Sequence, residues 1–171
     1  MKLKAALLLD NLQIEKWQYE ALHNASDLID IEVILNCQNT KIKRNFFKHF
    51  LYYLLNLVSI KTKLNKRDNF DTQNIDVKSF ESTYQGIWQS IPDNIIEEVQ
   101  AKKINLIIKF GMNLLHIPDS FNELDILSFH HGASSEFRGR PAGFYEIFNS
   151  AKRVGVVVQL LTTKLDGEVH I

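Results

Sequence analysis

The sequence predicts an α/β fold: a Rossmann-like, mostly parallel sheet with helices on both faces. Three observations predict it. Stretches that read as strand alternate with stretches that read as helix along the chain. The strand-like stretches are apolar throughout, as in strands covered on both sides, and do not alternate with polar residues. Finally, 171 residues with 45% hydrophobic content can enclose one hydrophobic core. One domain spanning residues 1–171 is therefore expected.

The elements follow in order. "KAALLL" (4–9) reads as the first buried strand. It is too short for the apolar core of a signal peptide, and Asp10 follows it directly. "EKWQYEALHNA" (15–25) sets Trp17, Ala21, Leu22 and Ala25 at helical spacing. "IDIEVILNC" (29–37) is β-branched and strand-like. "KRNFFKHFLYYLLNLV" (43–58) reads as a helix. Lys48 and His49 interrupt its apolar run, which falls short of the roughly 18 residues of a membrane span. "KLNKRDNFDTQN" (63–74) reads as a polar connector. "PDNIIEEVQAKK" (92–103) opens on Pro92-Asp93 and closes on two lysines, both helix-end signals. "INLIIKF" (104–110) and "DILSFH" (125–130) read as further strands, "GFYEIFNSA" (143–151) as a short helix, and the valine-rich "VGVVVQLLT" (154–162) as a last strand.

Charge and composition exclude several classes of function. The 20 Lys and Arg balance the 20 Asp and Glu, so no global field favours nucleic acid or an acidic partner. The single Cys37 allows no intrachain disulfide and fits a reducing compartment. A cytoplasmic protein that does not engage a membrane is expected. One local asymmetry remains. No acidic residue lies between Val33 and Arg67, whereas Lys41, Lys43, Arg44, Lys48, Lys61, Lys63, Lys66 and Arg67 do. Two readings stand: a face for an anionic ligand or RNA, or a solvated segment balanced by acids elsewhere. All 7 glycines lie at or after Gly86, which places the tight turns and the site in the second half.

In parallel sheets, ligands bind at the carboxyl ends of strands where the strand order reverses. "LSFHHGASSEFRGRPAGF" (127–144) begins at such a strand end. No glycine-rich turn follows the first strand, which excludes a dinucleotide fingerprint or a phosphate-binding loop there. His130 and His131 are adjacent, so on a strand they point to opposite faces, and Cys37 is remote; no metal site is expected. A strand-end histidine titrates near neutrality and can move protons, provided a carboxylate orients it. Asp166, in "TKLDGEVH", offers one if the two preceding strands are neighbours. Otherwise it is a surface residue in a plain hairpin turn.

The stretch 128–167 resembles the catalytic half of the formyltransferase superfamily, which includes the phosphoribosylglycinamide, methionyl-tRNA and sugar N-formyltransferases. The family pattern is Asn-x-His, a loop ending in an aromatic residue followed by Arg-Gly, a nearby Pro, a helix, then Gly-Val-Thr and a strand ending in Leu-Asp-x-Gly or Leu-Asp-Gly-Gly. The matching residues are His130, Phe137-Arg138-Gly139, Pro141, Gly155-Val156 and Leu165-Asp166-Gly167. "INLIIKFGMNLL" (104–115) is similar to the family's strand and turn beside the folate pocket. Motif support covers roughly residues 100 to 171; before that only the element order agrees.

The resemblance implies a formyltransferase fold and transfer of a formyl group from 10-formyltetrahydrofolate to a small-molecule amine, perhaps an amino sugar. It implies a catalytic set of His130, Asp166 and Ser128, with His130 stabilising the tetrahedral oxyanion and Asp166 holding the histidine or a water. It implies a folate-binding set of Phe110, Gly111, Met112, Leu114 and Leu115. His131, Gly132, Arg138 and Gly139 form the substrate loop. His131 would sit behind the catalytic histidine, on the substrate side, or simply at the surface. Arg138 would either hold the loop or meet an anionic substrate.

Ser128 stands where the family carries Asn, and His131-Gly132 replaces the Pro that often follows the histidine, marking an unusual branch with an "FHHG" loop. Family domains continue past the aspartate with a further strand and a closing helix, so this chain reads as incomplete at its C-terminal end. The apolar edge so left would favour association. Two rival readings remain: a binding domain without turnover, and a formyltetrahydrofolate hydrolase in which water replaces the amine.

Overall fold

A computed structural model of the protein describes residues 2–38, 66–118, 121, 124–131, 144–153 and 155–161. Its strands are β1 (Leu3–Asp10), β2 (Gln13–Glu15), β3 (Ile29–Cys37), β4 (Arg67–Asn69), β5 (Asp76–Phe80), β6 (Thr83–Gln85), β7 (Trp88–Ser90), β8 (Leu106–Lys109), β9 (Leu114–Leu115), β10 (Asp125–His131) and β11 (Val156–Leu160). Its helices are α1 (Lys16–Asn24), α2 (Asp93–Ala101) and α3 (Phe144–Phe148).

The apolar run at the start of the chain becomes the central strand. Ala5 to Leu9 of β1 are fully buried, because β1 has a parallel neighbour on each side and a packed layer on each face. The main sheet runs β5-β3-β1-β8-β10-β11; the first five of these strands are mutually parallel and β11 is antiparallel to β10. Alternate residues of β1 divide between two cores. Ala6 and Leu8 join Val33, Leu35, Ile107 and Ile126 under Ile95, Ile96 and Val99 of α2. Ala5, Leu7 and Leu9 join Ile34, Ile108 and Leu22 of α1. The described helices therefore cover both faces, as the apolar strands require. Each fully buried Leu or Ile contributes about 1.5–3 kcal/mol relative to exposure.

α1 starts where its first amides find partners. Glu15 and Gln18 form a capping box, each side chain taking the other's backbone N–H, and the Lys16 amide donates to the Lys66 carbonyl at 3.0 Å. α2 starts after Pro92, as the sequence indicated.

Three expectations change. The connector read over 63–74 contains β4, which pairs antiparallel with β2 through Glu15↔Arg67 and Gln13↔Asn69. A ladder of backbone bonds needs no apolar side chains, and β4 is exposed throughout, so composition gave no sign of it. The helix read over 143–151 is shorter, five residues long. Strand β5, from the mixed stretch "DVKSF", extends the parallel sheet by one strand that the apolar-run criterion passes over. The helix expected over 43–58 lies outside the described residues.

An ion-pair network ties β5 to α2. Lys102 Nζ lies 2.8 Å from Asp76 Oδ2, and Lys78 bridges Asp76 at 3.7 Å and Glu98 at 2.7 Å. The hydrogen bond from Lys102 holds the Asp76 carboxyl below the usual carboxylate range, and that from Lys78 to Glu98 raises the lysine. A depressed carboxyl stabilises the fold above its unfolded pKa. That stabilisation is lost as pH falls through the folded value. Lys102→Met should lower the melting temperature by about 1–2 °C near neutral pH in low salt. Thermal scans at high salt, or below the carboxylate range, should show the difference disappear.

Candidate functional site

The strand order dictates where a crevice can form. From β1 the chain builds outward through β3 and β5 on one side, then returns to build β8 and β10 on the other. The reversal lies between β1 and β8, and the loops leaving their carboxyl ends part there. Those ends are Asp10 and the turn Phe110-Gly111-Met112.

The turn is fixed tightly. Phe110 and Gly111 amides both donate to the Leu8 carbonyl, at 3.0 and 2.9 Å. Gly111 is pressed against the end of β1: a Cβ there would stand 2.6 Å from Asp10 N and Leu9 C. Met112, with φ 60°, donates its amide to Asp10 Oδ1 at 3.0 Å, and Lys109 Nζ donates to the Met112 carbonyl at 3.2 Å. Leu114 and Leu115 continue as β9, parallel to β7 in a second, three-stranded sheet. Gln89, only 2% exposed, holds that segment. Its Oε1 accepts from the Asn113 amide, its carbonyl accepts from His116 at 2.7 Å, and its Nε2 donates to Ser82 Oγ and Tyr84 Oη. The five residues expected to bind folate thus form one loop at the switch point. Gly111, Met112 and Leu115 are buried, and Phe110 and Leu114 half-buried.

Glycine placement pointed to the second half for tight turns, and Gly111 serves one there; the β1–β2 turn on the other side of the crevice has none. Asn11 and Leu12 both adopt positive φ, 54° and 53°, between β1 and β2. The Leu12 amide donates to Asn36 Oδ1 at 3.0 Å, which secures the turn.

β10 carries the histidines past the end of its neighbour. The last β8 residue, Lys109, is in register with Ser128. Phe129, His130 and His131 continue alone on that side, held on the other by Val158, Val157 and Val156 of β11. The backbone of both histidines therefore lies at the carboxyl edge. Just below, the core ends in two steps. Ile107 and Ile126 are in register, and the Leu161 amide bonds to the Ile126 carbonyl. One step nearer the edge, on the same face, stand Lys109, Ser128 and Gln159. Ser128 is 7% exposed and Gln159 9%. An apolar row gives way to a polar one two residues before His130.

On the other face Trp17, Phe110 and Phe129 form an aromatic trio, with ring centroids 5.8, 5.3 and 5.2 Å apart pairwise. The indole N–H of Trp17 donates to Glu15 Oε2. The trio ties α1 to the starts of both edge segments.

The condition set for Asp166, that the two preceding strands be neighbours, is met. β10 and β11 are neighbours, but β11 runs away from the histidines, and Leu161 stands level with Ile126. Ile126 lies about 13 Å along the strand from His130 at ~3.3 Å per residue. The chain from Leu161 to Asp166 can span about 17 Å at most, which leaves that distance within reach. Asp166, Gly132, Arg138 and Gly139 themselves lie outside the described residues.

Asp10, Gln89 and Gln159 were not singled out from sequence. For Gln159 a signal existed: a lone amide inside the apolar run "VVVQLL". Among the described residues no helix is long and apolar enough to cross a membrane, and no three of His, Cys, Asp and Glu gather as a metal site would require.

No family model and no curated protein matches the chain. Solved structures do. Glycinamide ribonucleotide transformylase 1 from Symbiobacterium toebii superposes with a TM-score of 0.59 at 12% identity, covering 99% of this chain and 71% of that one. Phosphoribosylglycinamide formyltransferase from Anaplasma phagocytophilum gives 0.57 at 15%, covering 98% and 68%. A formyltetrahydrofolate deformylase from Pseudomonas putida KT2440 gives 0.56 at 12%, covering 99% of this chain and 52% of its own. At such identities the likeness is one of fold: the chain has the formyltransferase fold.

Proposed function

We propose that this protein moves a formyl group from 10-formyltetrahydrofolate to the amino group of a small molecule in the cytoplasm. The observation that carries the reading is the placement of His130. On a formyltransferase fold, β10 brings its backbone past the end of β8, beside the crevice where the strand order reverses. The residues present suit the donor. The Phe110–Leu115 loop offers half-buried apolar side chains for a flat ring, and the row Lys109, Ser128, Gln159 offers polar groups beside it.

In the reaction the amine nitrogen bonds to the formyl carbon, the carbonyl oxygen takes up negative charge, and the carbon–nitrogen bond to the folate breaks. The proton lost by the amine passes to the departing folate nitrogen. His130 would donate to the oxyanion and relay that proton; Asp166 would hold the histidine in its charged form. Ser128, with a single hydroxyl donor, supports the same charge.

The decisive experiment is calorimetric binding of 10-formylfolate, followed by assay of formyl transfer to a panel of amines. Binding with turnover supports the reading; no binding at any concentration overturns it and favours a domain without turnover. Asp166→Asn should lower kcat by about tenfold or more with the fold retained by circular dichroism; an unchanged rate excludes the His130–Asp166 pair. Hydrolysis is the second reading, favoured by the deformylase among the fold neighbours. Formate release that proceeds at full rate without any amine would establish it.

A further inference from the structure

We infer that Gln159 is a substrate-contacting residue of this site, its carboxamide hydrogen-bonding the formyl group. The inference rests on the proposed function and deepens it.

Gln159 sits on β11 directly opposite Ser128. Directly opposed residues on antiparallel strands share a face, with Cβ atoms about 4.5–5.5 Å apart. Both are buried, one row below His130, where the apolar core has just ended. Yet Gln159 Oε1 is buried with no hydrogen-bond partner, alone in this among the described residues. A carboxamide has two lone pairs and two N–H donors, and leaving an end of it dry and unpaired is costly. Natural structures hold few such groups. Which end is oxygen is an assignment; a formyl oxygen only accepts, so the contact is made with the carboxamide turned to aim its N–H groups at the ligand. A leucine of similar size would suit a strand face shared with Val157 and Leu161 better if packing were the only demand. A polar group kept unsatisfied at the threshold of a site is what a polar ligand would complete.

The neighbouring residue explains why an amide is needed. Ser128 offers one short hydroxyl, and an oxyanion is held by converging donors. A glutamine reaching across from the next strand supplies the amide that Ser128 cannot. Serine leaves the room for it: a longer residue at 128 would compete with Gln159 for the same space.

The test pairs stability with ligand discrimination. Gln159→Leu removes the unsatisfied group, and Gln159→Glu keeps its shape but removes its donors. Each is compared with the wild-type chain in thermal unfolding and in calorimetric titration with 10-formylfolate and with folate. Gln159→Leu should melt a few degrees higher than wild type, and both variants should lose at least about tenfold of the preference for 10-formylfolate over folate. If the preference survives in both variants, the inference falls. If Gln159→Leu melts lower and binds both ligands equally weakly, Gln159 is structural and the inference falls as well. Should Gln159→Leu fail to fold, Gln159→Glu decides by its preference alone. If wild-type protein binds neither ligand, the proposed function itself fails, a result distinct from the others.

Discussion

On the proposed reading, His130→Ala is expected to cut formyl transfer by about 10²–10⁴-fold, the range for removal of a positioned proton-transfer group. The fold survives the change. β10 owes its place to its backbone ladders with β8 and β11 and to the packing of Ile126 and Phe129 in the two cores. Far-UV circular dichroism and the melting temperature should therefore stay near wild type, and 10-formylfolate should still bind, because the Phe110–Leu115 loop is untouched. Single-turnover kinetics give the cleanest measurement, since they report the chemical step without product release. A rate within about threefold of wild type would move the chemistry elsewhere, with His131 the next residue to test.

Gly111→Ala acts on the same edge through stability. A methyl group at 111 would meet backbone atoms, Asp10 N and Leu9 C, at 2.6 Å, where no side chain can swing aside. Either the turn lifts off β1 or β1 bends. Lifting breaks the paired bonds from Phe110 and Gly111 to the Leu8 carbonyl and the bond from Met112 to Asp10. Bending disturbs the most deeply buried strand of the sheet. Overpacking of this kind costs about 1–3 kcal/mol, and lost backbone bonds add to it. A fall of about 10 °C in melting temperature is expected, with folate binding lost before the domain unfolds. The response should be graded, with Gly111→Val failing to give soluble folded protein. An Ala variant as stable as wild type would mean that the turn is free to move.

The same two positions show what the sequence made legible. Long apolar runs announced β1, β3, β8 and β10 because burial on both faces leaves no room for polar residues, and β3 matches its expected bounds of 29–37. What composition could not show were elements held by backbone pairing alone, such as β4, and a turn whose positive φ falls on Asn11 and Leu12 instead of on glycine. In the candidate site, His130 and the 110–115 loop could be named from their motif resemblance and their position at strand ends. Gln159 shows in the sequence only as a lone amide in an apolar run; its place beside Ser128 depends on which residue faces it across the sheet. That register becomes visible only when β11 is seen antiparallel to β10. Asp10 was hidden for the same reason. Its carboxylate meets the Met112 amide across 102 positions of sequence.

The aromatic trio has an optical consequence. The chain has two tryptophans, and they bracket the loop at the switch point. Trp17 packs edge-on against Phe110, where the loop begins, and against Phe129, which precedes His130. Trp88 pairs with Leu114, where the loop ends. An indole's emission shifts with the polarity and contacts around it, so intrinsic fluorescence reads both anchors of this loop without any label. A ligand seated at the carboxyl edge changes the light from Trp17, and the single-tryptophan variants Trp17→Phe and Trp88→Phe tell which end of the loop has responded.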